Sequence, residues 1–276
     1  MSLIFQRTSV VGIPIGLDGI TPDGVGAMSP AEVARLEVPR GNGRVALGDV
    51  FRISGNAADG RLEFEGDLGD IHEIGRGMTG GEIVVRGNAG RHAGAGMTGG
   101  ALHIHGDTGD WLGCEMKGGL IHVRGSAGDH AGAAYAGNRR GMTEGTILIE
   151  GSAGSHAGAS MRRGLIAIGG DCGEAVGLEM IAGSILVLGG CGRAPGAGMR
   201  RGTIGILGTA PVPFLPTFRL AGRFRPLFLR LILRELERLG FPRRAGLSDK
   251  EFLLYHGDLV GLGKGEVWCR GDSGTS

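Results

Sequence analysis

"GNAGRHAGAGMTGG", residues 87–100, contains Gly94-Ala-Gly96-Met-Thr-Gly99, the G-x-G-x-x-G spelling of a dinucleotide-binding turn. That spelling carries chemistry only where its glycines join a strand to a long helix, so that a pyrophosphate meets the helix N-terminus. Here it does not. Moving the stretch along by 19 residues maps it onto itself, and the same match at Gly75 to Gly80 marks it as a product of a repeat.

The repeat runs through the middle of the chain. Gly81-Glu-Ile83-Val-Val85-Arg-Gly87 recurs from Gly100, from Gly119 and, after a seven-residue insertion, from Gly145, Gly164 and Gly183. A looser unit begins at Gly60, a shortened one lies near Phe51 to Gly55, and Thr203 to Leu207 supplies a last strand. Apolar residues at positions 3 and 5 predict a short strand with one buried face. Glycines return at positions 7, 10 and 14, where a chain that turns sharply needs them. A methionine closes each full unit (Met97, Met116, Met142, Met161, Met180, Met199), the expected filler of an alanine-walled interior.

Three short walls and three corners in 19 residues predict an all-β fold: a parallel β-helix solenoid of 19-residue coils stacked at about 4.8 Å, with a short N-terminal cap and a C-terminal helix. The expected divisions are an N-terminal cap over 1–48, the glycine-rich β-helix over 49–210 and a C-terminal extension over 211–276. Ser29-Pro30-Ala-Glu32 reads as a capping box opening a short helix that runs to about Leu36. Pro226 opens "PLFLRLILRELERLG", a helix meant to be buried against protein. "GLGKGE" (261–266) reads as a turn between strands at Leu253–Tyr255 and Val267–Cys269, because it lacks the spacing of a phosphate loop.

Composition excludes several function classes. Fifty-nine glycines against nine phenylalanines, two tryptophans and two tyrosines require a core of small pieces. The 29 basic and 28 acidic residues leave a net charge of +1, which gives no general pull toward nucleic acid or membrane. No run of 18 apolar residues predicts a membrane span. Four cysteines without paired spacing fit a cytoplasmic protein. Cys172 and Cys191 share position 9 of adjacent coils, with Cα atoms expected about 4.8 Å apart, and read as two buried thiols.

Residues with one position number should form ladders. Position 12 gives His92, Trp111, His130 and His156, but no third ligand of matching position, so no metal is expected. Outward positions 4 and 6 bring together His103, His105, His122 and Arg124, where the cations would repel a metal. They turn apolar at Leu148, Ala167, Leu186, Leu188 and Leu207, a wall to be covered by the Pro226 helix or by another subunit. The acids at any one position are scattered, and no carboxylate pair or nucleophile with a base suggests catalysis. Position 18 carries Lys117, Arg162 and Arg200, reinforced by Arg163, Arg201, Arg139 and Arg140. A solvated charged face is the plain reading; a basic track for an extended polyanion is the functional one.

The G-x-I-x-V-x-G-x-x-G-x-x-x-G-x-x-M unit resembles the glycine-rich β-helix shared by the C-terminal domain of the glutamate synthase large subunit and the C-subunit of formylmethanofuran dehydrogenase. "GMTGGEIVVRGNAG" (77–90), "AAYAGNRRGM" (133–142), "MRRGLIAIGGDCG" (161–173), Arg193 to Ile204 and "PTFRLAGRFRPLFLRLILREL" (216–236) extend the likeness to that C-subunit over nearly the whole chain. The tail looks most like the bacterial form, from the formyltransferase/hydrolase complex of methylotrophs. The resemblance implies a right-handed helix and a noncatalytic scaffold subunit. Its partners would be a formyltransferase subunit, an amidohydrolase-like hydrolase subunit and a dehydrogenase-like B-subunit. Those chains would move a formyl group from formyl-tetrahydromethanopterin to a methanofuran-type carrier bearing a glutamate chain, then release formate, in one-carbon oxidation. No family catalytic residue maps onto this chain. Lys117, Arg162 and Arg200 are the candidate contacts to the carrier or to a partner, and no other cofactor is expected to be held here. The second class of function is a stand-alone β-helix enzyme acting on carbohydrate.

Overall fold

The computed structural model describes residues 2–8, 12–242, 246–247 and 250–271. The chain opens with β1 (Leu3–Arg7) and β2 (Ile15–Gly16), then α1 (Pro22–Val25), α2 (Pro30–Ala34), β3 (Glu37–Arg40), β4 (Gly43–Ala46) and α3 (Leu47–Val50). Next come β5 (Phe51–Gly55), β6 (Arg61–Glu65) and β7 (Ile71–His72). The repeat strands are β8 (Glu82–Arg86), β9 (Ala101–Ile104), β10 (Lys117–Val123), β11 (Glu144–Ile149), β12 (Leu165–Ile168), β13 (Ser184–Val187) and β14 (Thr203–Ile206). Four elements close the chain: β15 (Arg219–Phe224), α4 (Leu229–Arg238), β16 (Phe252–Gly257) and β17 (Gly265–Arg270).

The fold is mostly β, dominated by a 13-stranded sheet. Within it β6 and β8 to β14 pair parallel in sequence order, each unit on the next: Ile83 on Leu102, Leu102 on Ile121, Ile147 on Ile166, Ile185 on Ile204. A second column joins position 9 of successive units, from Leu68 through Ala89, Thr108, Ala127, Ala153 and Cys172 to Cys191. A third set of bonds links the turns, as in His92 N–H to Asp110 O (2.9 Å) and Gly96 N–H to Cys114 O (2.8 Å). Neighbouring units thus share backbone hydrogen bonds on all sides.

The strand near Phe51 departs from the repeat reading. β5 runs antiparallel to β1, and β1 runs parallel to β6, so Phe51 to Gly55 is an end strand and not a shortened unit. The reason is packing. Phe5, Phe51 and Phe64 form an aromatic cluster, Phe5 stacking on Phe64 at 4.5 Å, that fills the first end of the core. α2 starts at the capping box, Ser29 N–H donating to Glu32 Oε2 (2.8 Å) and Glu32 N–H to Ser29 Oγ (3.3 Å), and ends at Ala34, two residues short of Leu36.

Between the ends the core is glycine, isoleucine and methionine in register. A Cβ on Gly158 (φ +70°) would fall 2.4 Å from Ile185 Cδ1, so the corner must be bare both to turn and to admit that isoleucine. A Cβ on Gly183 would touch Met161 Cε at 3.0 Å, because each methionine methyl lies beneath the glycine that opens a later unit. The methionines at unit ends are fully buried, Met78 included.

Two polar ladders stitch the stack from outside. At position 8, Asn88 accepts from Asp107 N–H, Asp107 from Ser126, Ser126 from Ser152, Ser152 from Asp171 and Asp171 from Gly190 (2.7–3.1 Å). At position 11, Asp110 caps Asp129 N–H, Asp129 caps Ser155 and Ser155 caps Glu174. The acids that look scattered in the sequence are backbone acceptors at fixed places. They are interchangeable with serine and asparagine because each needs only one lone pair there.

The apolar outer wall is covered by the chain itself. Leu148, Ala167, Leu186 and Leu207 pack beneath Leu229 and Leu236 of α4, with Phe241, Leu247, Phe252 and Trp268. β16 and β17 form the antiparallel pair around residues 261–266, and β17 adds to β14, Ile204 facing Val267. α4 is shorter and less buried than the sequence pattern suggests. It begins at Leu229, and Leu227, Phe228 and Leu231 remain exposed, because one face suffices to seal the wall.

Candidate functional site

Position 18 follows the buried methionine and points outward. Its N–H donates to the methionine carbonyl one unit back: Lys117 to Met97, Thr143 to Met116, Arg162 to Met142, Ile181 to Met161 and Arg200 to Met180 (2.7–2.8 Å). The column therefore reads Lys, Thr, Arg, Ile, Arg, with a cation in alternate units, two strand spacings or about 10 Å apart.

Arg162 and Arg200 line one cavity of about 800 Å³. The inserted loop after Tyr135 brings Asn138, Arg139 and Arg140 to its rim, and Ser160, Glu179, Ile181 and Gly198 complete it. A second recess of about 350 Å³ shares Arg162, Ile181 and Arg200 and adds Arg163, Ala182, Arg201 and Leu262. Lys117 is exposed at the start of β10 and lines neither.

Among the described residues, none of these arginines makes an ion pair within 4 Å, and Glu179 is the one carboxylate of the lining. The groove is lined mainly by cations, and exposed charge pairs of the kind they could form contribute at most about 1 kcal/mol each. No histidine, cysteine or carboxylate pair lines it; Glu179, at the same position as Ser160 one unit on, is its single acid.

The other candidate ladder does different work. His92, Trp111, His130 and His156 stack in one column, Trp111 on His130 at 4.1 Å and His130 on His156 at 4.9 Å, within 9–14° of parallel. Tyr135 packs against Trp111 and its hydroxyl lies 2.9 Å from His92 Nδ1, which anchors the inserted loop. The rings meet face to face, so the nitrogens do not converge; no cluster of three metal-ligating side chains occurs among the described residues. All four ladder residues have φ of 62–65°, a left-handed turn that the sequence pattern does not signal at non-glycine positions. On the outer sheet face the cations expected around the histidines are present, Arg86 and Arg124 beside His105, but two of the rings also have an acid neighbour. His122 Nε2 lies 2.8 Å from Glu150 Oε1, and His103 lies 3.8 Å from Glu82. The acids at Glu82 and Glu150 come from neighbouring strands, which a position-by-position reading leaves out.

Burial lowers the pKa of His72, His92, His103, His105 and His130 below 6.5, with nearby cations or imidazoles adding to the effect. Above that value both folded and unfolded chains hold these rings neutral. As pH falls through it the unfolded chain takes up protons first, so stability is lost toward the lower folded values. Tm is expected to hold between pH 7 and 8 and to fall steadily from pH 6.5 to 5. A Tm that is flat or rises over that interval would show that the ring column tolerates charge.

Cys172 and Cys191 occupy paired positions as free thiols, Cys172 buried and Cys191 half-buried. Burial pushes both up to about 12, so neither is a thiolate nucleophile near neutrality.

The geometry defines a glycine-rich protein of stacked parallel units with one basic groove. No protein-family model matches the chain. A chain of the formyltransferase/hydrolase complex (FhcABCD) from Methylorubrum extorquens, solved in complex with methylofuran, is 34% identical, with a TM-score of 0.88 over 97% of this chain and 99% of that one. The C-subunit of tungsten-containing formylmethanofuran dehydrogenase 2 from Methanothermobacter wolfeii is 37% identical over 86 residues, 30% of this chain and 32% of that protein. The C-subunit of molybdenum-containing formylmethanofuran dehydrogenase 1 from Methanosarcina barkeri is 40% identical over 94 residues, 33% of this chain and 31% of that protein. The matched stretch spans about a third of these curated relatives. The chain belongs to the family of the formyltransferase/hydrolase complex C-subunit, which is related to the C-subunit of formylmethanofuran dehydrogenase. No described helix is long and apolar enough to cross a membrane.

Proposed function

We propose that this chain is a right-handed parallel β-helix of 19-residue coils serving as the noncatalytic scaffold subunit of a cytoplasmic formyltransferase/hydrolase complex. Residues 1–48 and 211–276 close its two ends and its apolar wall. The carrying observation is the likeness to a chain of such a complex over nearly the full length of both. In this reading a formyltransferase subunit, an amidohydrolase-like hydrolase subunit and a dehydrogenase-like B-subunit hold the chemistry. They pass a formyl group from formyl-tetrahydromethanopterin to a methanofuran-type carrier and release formate.

The groove gives this chain its own part. Arg162 and Arg200, with Lys117 two strand spacings farther on, hold the polyglutamate tail of the carrier while its formyl-bearing end moves between active sites. Exposed charge pairs suit that task, since each is weak enough to let the tail slide. A stand-alone enzyme acting on carbohydrate fits less well, because the groove offers no carboxylate pair.

The complex carrying Arg162→Gln and Arg200→Gln tests the assignment. Assembly is expected to persist while affinity for a long-tailed carrier falls about tenfold, the sum of two exposed pairs, with less effect at high salt. Unchanged carrier affinity would remove the track; failed assembly would make the arginines an interface with a partner.

A further inference from the structure

We propose that the turn at Asp258–Lys264, between β16 and β17, is a rigid apolar knob that seats in a pocket of a partner protein, an apolar pocket rimmed by carboxylates. The inference rests on the reading that the chain works within a complex. Leu259, Val260 and Leu262 expose 47%, 81% and 55% of their surface on one turn, which an isolated soluble chain has no reason to display together.

The turn is held as a built element. Asp258, 5% exposed, accepts from Gly198 N–H and from Val260 N–H at 3.0 Å through its two carboxylate oxygens. Its carbonyl accepts from Gly261 and Gly263 at 3.1 Å, and Leu259 N–H donates to Thr217 O at 3.1 Å. Those donors hold the Asp258 carboxyl below its usual range despite its burial, which opposes them. A knob fixed in this way loses little conformational entropy on docking.

Charge identifies the partner. Leu262 lies beside Arg163 and Arg201, and Lys264 stands exposed on the same turn. Asp258 is the turn's one acid, and its oxygens are spent on backbone donors. Apolar anchors inside a ring of cations match an apolar pocket inside a ring of Asp and Glu, with the charged rim excluding water from the anchors.

The test compares the parent and the Leu259→Asp, Val260→Asp chain, whose two side chains line neither recess of the groove, each co-expressed with the other members of the complex, by solution mass and by dissociation on dilution. Tm of the isolated variant is expected within about 2 °C of the parent, because both side chains are exposed. Assembly is expected to weaken at least about thirtyfold, as for loss of interface anchors, with carrier affinity unaltered. Reversal of charge by Arg201→Glu and Lys264→Glu is expected to weaken assembly as well, and serves if the first variant misfolds. Variant assembly equal to the parent's overturns the knob alone. Carrier affinity lost with assembly intact also overturns it, by giving the turn to the groove. A parent that never associates overturns both this inference and the scaffold reading.

Discussion

Met161→Asp is expected to unfold the middle of the stack. Met161 is fully buried, and its methyl lies under Gly183 of the later unit. Loss of a buried methionine costs about 2–5 kcal/mol through transfer and cavity terms. A carboxyl without partners in that space adds several kcal/mol more, whether it stays charged or takes up a proton. The total rivals the about 5–15 kcal/mol by which folded domains exceed their unfolded chains. Stacked units also depend on their neighbours, so damage at Met161 reaches the strands that flank it, β11 to β13. Circular dichroism should report loss of strand signal, and a thermal scan no cooperative transition near the parent's. A variant melting within about 2 °C of the parent would place Met161 outside the core. Met161→Leu, close in volume, should cost less than about 1.5 kcal/mol.

The interior is legible in the sequence because its requirements recur. Position 14 must be glycine for the turn and for the isoleucine above it, position 17 must fill a gap, and positions 3 and 5 must be apolar. A single period therefore exposes all three constraints in residues such as Gly158, Met161 and Ile166. The ends do not recur, and there the pattern loses its force. Phe51 to Gly55 begins like a repeat strand, but nothing local shows that Leu3–Arg7 will run beside it in the opposite sense. Pairing across that distance is set by the Phe5, Phe51 and Phe64 cluster, a tertiary fact.

The groove is half legible for a related reason. The column of Lys117, Arg162 and Arg200 follows from spacing, but whether its members share a cavity depends on what lies beside them. The loop carrying Arg139 and Arg140 folds over the Arg162 end, and Thr143 separates that end from Lys117. Likewise Glu150 pairs with His122 only because β10 and β11 are neighbours in register. The ladders of Asp107, Asp110, Asp129 and Asp171 do carry a sequence signal. Position 8 holds Asn, Asp, Ser, Ser and Asp in successive units, each able to accept one hydrogen bond.

Trp268→Ala is expected to release the cover of the outer wall while leaving the parallel stack in place. Trp268 is 1% exposed, meets Phe224, Phe228 and Phe252 edge to face at 5.0–6.4 Å, and lies flat enough over β14 that a Cβ on Gly205 would fall 2.4 Å from its Cζ2. Removing a buried indole costs about 3–5 kcal/mol, or roughly 10 °C in Tm for a chain of this size. The cover would then expose Leu148, Ala167, Leu186 and Leu207, a continuous apolar strip that binds hydrophobic dyes and promotes association. Gly205→Leu should give the same phenotype from the opposite side by expelling the ring. The double variant should cost little beyond either single one, since both break one contact. Trp268→Phe separates packing from polarity. The indole N–H is buried without a hydrogen-bond partner, so its loss removes an unsatisfied donor, and the phenylalanine variant should melt well above the alanine one. Dye binding unchanged in Trp268→Ala, with Tm within about 2 °C of the parent, would mean that the helix and hairpin hold to the wall without their central ring.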